Sequence, residues 1–319
     1  MKLARRDVLK MAAAIAATGL ALRPATAASS VVRLMCGFGV GNPTDLCAQL
    51  IQEGFSAALG EPVEFDYALG QAGRLAALEV IAAPSDGRTL LIAEILNLVL
   101  QDTPADPLVS RLQPIAKITR GSSTALVVNQ FSDIKDWQGL LAAARPSQRA
   151  GKLKAATTGR DSTVGLLLAL VERRMKLAFD AVDVVSSSAA IELLLTRRAA
   201  IAAIDTRTAL LHNARDRTKL RVIATSGAQR SPALPEVPTL AELVGDPKFA
   251  YTISFGLFAP LRTEAAVSAR LTAALVGMKD DRSLQAQARL AQIPVQLEGP
   301  GAVVETIARD RRIAAGLTA

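Results

Sequence analysis

The residues of this chain that can do chemistry sit where an apolar, strand-like run gives way to a helix-period run. The longest such stretch is Cys36-Gly37-Phe38-Gly39-Val40-Gly41-Asn42-Pro43-Thr44-Asp45. Residues 31–35 before it read as a strand. After it, Leu46, Cys47, Leu50, Ile51, Phe55 and Leu59 follow a helical period. Asn42 suits a helix N-cap, Pro43 the first helical position, and Asp45 the acid of a capping box. Free backbone N–H groups at such a turn carry partial positive charge and form a cradle for an anion. A tight turn that holds no ligand is the alternative reading of this stretch alone. Thr44 can cap or touch a ligand. An acid aimed at an anion repels it, so Asp45 suits a brace better than a contact.

Three more turns have a similar composition: Gly70-Gln71-Ala72-Gly73, Thr158-Gly159-Arg160-Asp161-Ser162 and Ser186-Ser187-Ser188. The hydroxyls of Ser162, Ser186 and Ser187 can donate to a carboxylate or cap a helix. Arg74 and Arg160 flank two of these turns. Each can form a bidentate pair with a carboxylate, or stand as an ordinary surface arginine.

These turns need strands behind them and helices in front. Strand patterns fall at residues 63–67, 89–93, 115–118, 124–128, 154–157, 183–185, 199–204, 220–225 and 251–260. Helical runs include 74–83, 137–144, 163–175 and 189–196, and the stretch from 264 to 319 is mostly helical by period. Residues 101–111, rich in Pro and Asp, read as loop. The expected fold class is therefore α/β, with βα units in both halves and ligands at the carboxyl ends of the strands. Two such lobes would aim helix N-termini into one cleft, which suits a small carboxylate.

Composition narrows the function classes. A chain of 319 residues is long enough for two domains. Aromatics are 3%, too few for stacking platforms, so nucleic acid is not an expected partner. Arg5-Arg6 followed by a short apolar stretch and Ala25-Thr26-Ala27 read as a twin-arginine export signal over residues 1–27, with an uncleaved anchor as the alternative. That segment holds five of the 37 bases and one of the 29 acids, so the remainder carries +4 rather than +8. One histidine, His212, and two cysteines, Cys36 and Cys47, are too few for zinc or Cys/His catalysis. Cys36 ends a strand and Cys47 lies in the next helix, so two buried thiols are favoured over a disulfide. No cofactor or metal is expected.

From about residue 31 to its end the chain resembles the substrate-binding proteins of tripartite tricarboxylate transporters, the Bug-type extracytoplasmic solute receptors. The resemblance is carried by Pro43-Thr44-Asp45, Leu69-Gly70-Gln71-Ala72-Gly73, Ala82-Ala83-Pro84-Ser85-Asp86-Gly87-Arg88-Thr89-Leu90-Leu91 and Leu112-Gln113-Pro114-Ile115-Ala116. Arg230-Ser231-Pro232-Ala233-Leu234-Pro235-Glu236-Val237-Pro238-Thr239-Leu240-Ala241-Glu242 is the most specific match, and Gly256-Leu257-Phe258-Ala259-Pro260 follows it. The resemblance implies a type II-like, two-lobed periplasmic binding fold with a central cleft. The first lobe would run from 28 to 128, the second from 129 to 248, and 249–319 would return to the first. It implies capture of a small organic anion by a monomer in the periplasm, and delivery to membrane permease subunits, with no enzymatic activity. Carried over by position, the ligand set is Phe38, Gly39, Gly41, Asn42, Thr44 and Asp45 in the first turn and Gly70, Ala72 and Gly73 in the second. Gly159 and Ser162 follow in the third and Ser186 and Ser187 in the fourth, with Asp205 at the end of strand 199–204 as a further candidate. The chain departs from the family pattern at Gly37, Gly39 and Asn42, at Arg88, at Ser186-Ser187-Ser188 and at Thr196-Arg197-Arg198. More glycine and less proline in the first turn predicts a more flexible turn.

The competing reading is an exported NAD(P)-dependent oxidoreductase using Gly37, Gly39 and Gly41. Its third glycine has the wrong spacing for a dinucleotide fingerprint. A serine hydrolase lacks its Gly-x-Ser-x-Gly elbow, and His212 has no evident nucleophile.

Overall fold

A computed structural model of the chain describes residues 31–145, 152–160, 162–215 and 219–318. The expected export signal lies outside them. Two sheets organise these residues. The first, in the order β11-β4-β10-β3-β1-β2, contains β1 (Val32–Cys36), β2 (Val63–Tyr67), β3 (Thr89–Glu94), β4 (Leu112–Thr119), β10 (Phe255–Pro260) and β11 (Val295–Glu298). The second, in the order β7-β6-β8-β5-β9, contains β5 (Thr124–Asn129), β6 (Leu153–Thr157), β7 (Phe179–Asp183), β8 (Ile201–Asp205) and β9 (Leu220–Thr225). Parallel pairs β1–β2, β1–β3, β6–β7 and β6–β8 are the products of βα units.

Both sheets are covered by helices on two faces, so their strands read as nearly continuous apolar runs. In the first sheet Leu34, Leu90 and Ile92 pack with Ile51 and Phe55 of α1 (Pro43–Leu59) and Leu271 and Leu275 of α9 (Ala265–Val276). Met35 and Leu91 point the other way. They meet Ala76 and Val80 of α2 (Arg74–Ala82), Leu98 of α3 (Ile95–Leu100) and Val303 of α11 (Pro300–Thr318). The second sheet repeats this arrangement. Leu126 and Ile201 face α4 (Trp137–Ala144) and α5 (Thr163–Met175). Val127 and Ile204 face α6 (Ser187–Leu195) and α7 (Thr206–Arg215). The short α8 (Leu240–Val244) and α10 (Arg282–Leu290) complete the described helices. None is long and apolar enough to cross a membrane.

Two local expectations change. The strand at 124–128, read as closing the first lobe, is β5, which pairs with β8 and β9 in the second sheet. Its continuous apolar run suits a central strand of either sheet, so periodicity could not assign it. The chain therefore crosses between sheets just before Thr124 and returns just after Tyr251. At the crossing Ser122 N–H donates to Ile253 O at 2.8 Å and Ile253 N–H to Ser122 O at 2.7 Å, tying the two connecting strands together. In the helical C-terminal stretch, residues 295–298 form β11, an edge strand on β4.

Candidate functional site

The first turn begins where β1 stops. Asn42 caps α1, its Oδ1 accepting from Thr44 N–H at 3.0 Å, with Pro43 at the first helical position. Asp45 is fully buried and braces the turn. It accepts from Gly41 N–H at 2.7 Å, Gln49 Nε2 at 2.7 Å and Tyr67 Oη at 2.6 Å. Its reach to Gly41 goes one residue beyond a capping box. Burial, and then the bond to Asp45, push the Tyr67 phenol above its ordinary pKa.

The first turn leans on the second. A Cβ on Gly37 would lie 2.4 Å from Gly73 Cα, so Gly37 is glycine because two backbones touch there. This constrains the turn where flexibility was expected. In the second turn Gly70, Gln71, Ala72 and Gly73 all have positive φ. For Gln71 and Ala72 that conformation is strained, and such strain persists only where the surroundings impose it. Here Asn97 Nδ2 and Gln101 Nε2, the latter at 3.0 Å, both donate to Ala72 O.

On the opposite side Ser162 caps α5 through Gly165 N–H at 3.0 Å, and Ser186 caps α6 through Ala189 N–H at 3.1 Å. Asp205 ends β8 and accepts from Thr208 N–H at 2.8 Å.

These turns enclose a cavity of about 420 Å³ between the two sheets, within the size range of small-molecule sites. Phe38, Gly39, Asn42, Gly70, Ala72 and Gly73 line it from the first sheet's side, and Ser162, Ser187 and Asp205 from the second's. The remaining expected residues do not line it. Thr44 and Asp45 are buried beneath the turn and wholly shielded. Gly41 and Gly159 sit at positive-φ bends outside the lining, and the Ser186 hydroxyl is spent on its cap. The flanking arginines are also engaged elsewhere. Arg74 pairs with Asp106, and Arg160 pairs with Glu172 at 2.7 Å. Cys36 and Cys47 are free and buried, as favoured. Burial pushes the Cys36 thiol up to about 12, and the Cys47 thiol upward as well.

Sequence reasoning missed two charged cavity residues, Glu94 and Arg207. Glu94 ends β3, is buried, and accepts from Thr163 Oγ1 of the other sheet's α5 at 2.5 Å. Desolvation, with Asp205 adding to it, raises its pKa to about 7, against the bond from Thr163. Arg207 lies in the first turn of α7, and its Nε donates to Ala291 O across the cleft. Its guanidinium has no carboxylate partner among the described residues. Burial holds its pKa below the ordinary arginine value. The available signal was position: both stand at carboxyl ends of strands, where charged residues deserve the weight given to the glycine turns.

The N-termini of α1, α2, α5, α6 and α7 thus converge on one cavity, each with the positive end of its dipole. Residues 47–287 match the TctC family, the tripartite tricarboxylate transporter family receptor. The chain belongs to this family. A UPF0065 protein in the tcbD-tcbE intergenic region of Pseudomonas sp. strain P51 is 32% identical over 239 residues, covering 74% of this chain and 70% of that protein. Among solved structures, MatC (Rpa3494) from Rhodopseudomonas palustris with bound malate has a TM-score of 0.75 at 24% identity, covering 89% of this chain and 98% of its own. The periplasmic binding protein BugD has a TM-score of 0.77 at 19% identity, covering 90% and 97%. The chain is thus a Bug-type receptor with a two-lobed α/β binding fold. The oxidoreductase alternative finds no support in these matches, and the contact of Gly37 with Gly73 gives its glycine another purpose.

Proposed function

We propose that this TctC-family receptor captures a small organic carboxylate in the periplasm and hands it to membrane permease subunits. One observation carries the reading: five helix N-termini and an arginine with no ion-pair partner among the described residues face one cavity between two sheets. Such helix ends present free N–H groups and favour anions. MatC, which shares the fold, has malate bound.

In this reading the carboxylate meets the backbone of the first two turns, the Ser187 hydroxyl and the Arg207 guanidinium, while the Ser162 hydroxyl, which donates to Gly159 O at 2.7 Å and caps its helix, shapes the wall. Asn42 and Asp205 hold the ends of their helices. The protein works as a monomeric receptor rather than an enzyme, exported through its twin-arginine segment. The first lobe is 28 to about 123, the second runs to about 251, and the rest returns to the first.

A thermal-shift screen of the purified protein against di- and tricarboxylates, aromatic acids, amino acids and NAD(P) tests this, since a ligand of the native state raises apparent stability. Stabilisation by at least one carboxylate is expected. Stabilisation by NAD(P) alone would overturn the reading. Replacing Arg5 and Arg6 by Lys should retain the protein in the cytoplasm, and normal periplasmic yield would refute the twin-arginine route.

A further inference from the structure

Among the described residues, the charged ones that line the cavity are Glu94, Asp205 and Arg207. Two acids therefore stand against one base, in a place where an anion is to bind. Both acids lie at the cleft floor. Ile95 N–H, next to Glu94, donates to Ser254 O at 2.9 Å, and Thr206 N–H, next to Asp205, donates to Ser123 O at 3.0 Å. Each acid is thus fixed beside one of the two connecting strands.

Among the described residues neither acid forms an ion pair with a protein base, although Asp205 acts on Arg207 through space. The Glu94 carboxyl accepts from the Thr163 hydroxyl, and the Asp205 carboxylate accepts from Thr208 N–H and Oγ1; the backbone N–H of Asp205 donates to Ser187 Oγ at 3.5 Å. Arg207 is the nearest compensation, and a ligand carboxylate would occupy it. Two buried carboxylates would then face each other with nothing to balance them, a costly state in a desolvated pocket. A second carboxylate on the ligand worsens this repulsion. A ligand cation removes it.

We infer that the preferred ligand is zwitterionic, an amino acid whose carboxylate meets Arg207 and the helix N-termini while its ammonium lies between Glu94 and Asp205. This rests on the receptor reading of the same cavity and narrows its substrate class. Specificity then comes from rejection as much as attraction: a dicarboxylate that suits the helix ends is turned away by the floor.

The test is isothermal titration calorimetry with pairs of equal carbon number. 3-Aminopropanoate is set against malonate, 4-aminobutyrate against succinate, 5-aminopentanoate against glutarate and 6-aminohexanoate against adipate. Glycine and alanine extend the amino series downward. In at least one pair the amino acid should bind tenfold or more tightly than its diacid. Glu94→Gln, which keeps the shape and the Thr163 bond, should weaken that amino acid at least tenfold and weaken the diacid little or not at all. Its fold is checked by circular dichroism.

Proton linkage gives a second readout. The titratable groups that act on Glu94 are Asp205, Cys47 and Tyr251, none of them a cation, and Arg207 lines the same cavity. Near neutral pH an arriving ammonium should drive a proton off Glu94, whereas a diacid should take one up. Titrations in buffers of different ionisation enthalpy distinguish the two signs. Tighter binding of the diacid in every pair, or proton uptake with the amino acid, overturns the inference. So does silence of both series when another carboxylate binds in the broad screen, an outcome that leaves the receptor reading standing. Silence of every acid in that screen is the separate failure of the receptor reading itself.

Discussion

Replacing Asp45 by Ala should damage both stability and binding, although Asp45 does not line the cavity. Its carboxylate accepts three hydrogen bonds of 2.6–2.7 Å and is wholly buried. Hydrogen bonds to a charged group contribute about 1.5–3 kcal/mol each. Gly41 and Gln49 are exposed, so their donors regain water, while the Tyr67 hydroxyl is only half-buried. The net loss should then be about 3–4 kcal/mol for Asp45→Ala. It should be about 1–2 kcal/mol for Tyr67→Phe, which removes one bond, with Asp45→Asn between the two. Freeing the turn also adds an ordering cost on binding. One newly mobile residue costs about 1–2 kcal/mol, so ligand affinity should fall roughly tenfold. Urea denaturation of the three variants measures the first ranking and calorimetry the second. If Asp45→Ala lies within about 1 kcal/mol of wild type, or keeps full affinity, the brace is not what shapes the turn.

Other perturbations separate neighbouring parts of the account. The Glu94 pKa of about 7 lies above its ordinary 4.5, so the folded state holds a proton that the unfolded chain releases. Its contribution to stability is complete below about pH 4.5 and is lost as pH rises through 7, on the order of 3 kcal/mol in all. Glu94→Gln should flatten that slope, and equal slopes in urea melts of the two proteins would contradict it. Asp310, raised to about 6, works in the same direction, and Asp310→Asn supplies the comparison. Thr44→Val should leave ligand affinity intact and be neutral or slightly stabilising, because the Thr44 hydroxyl is buried without a partner. A large loss of affinity would put Thr44 in the cleft after all. Ala72→Gly should stabilise by about 1 kcal/mol by relieving a positive φ of 50°, whereas destabilisation in a denaturant melt would show the strain is absent. Cys36 and Cys47, buried with raised pKa values, should resist alkylation by iodoacetamide in the native protein at about pH 8. Rapid labelling would mean the cleft opens further than this geometry implies.

Much of the architecture was readable because each βα unit announces itself through a change of period, from a short apolar run to a 3.6-residue repeat. The turn between them carries caps: Asn42, Ser162 and Ser186 all do what their residue types and positions suggest. Sheet membership was not readable for β5, since a strand buried on both faces looks the same in either sheet. The candidate site was legible as a set of turns but not residue by residue. A turn has an inner and an outer side, and only packing decides which side Thr44, Asp45 or Gly159 faces. Glu94 and Arg207 escaped notice for a related reason. A single charged residue next to a strand end has no periodicity. The meaning of Glu94 comes from Thr163 and Asp205, and that of Arg207 from Ala291, all far away in the chain.

The central claim is that the cavity between the two sheets is where an organic acid is held. A crystal structure of the protein with the most stabilising acid from the screen tests it directly. The account predicts the acid in that cavity, one carboxylate within hydrogen-bonding distance of the turn N–H groups or of Arg207. An acid bound on the outer surface, or an empty cavity in crystals saturated with it, would contradict the account.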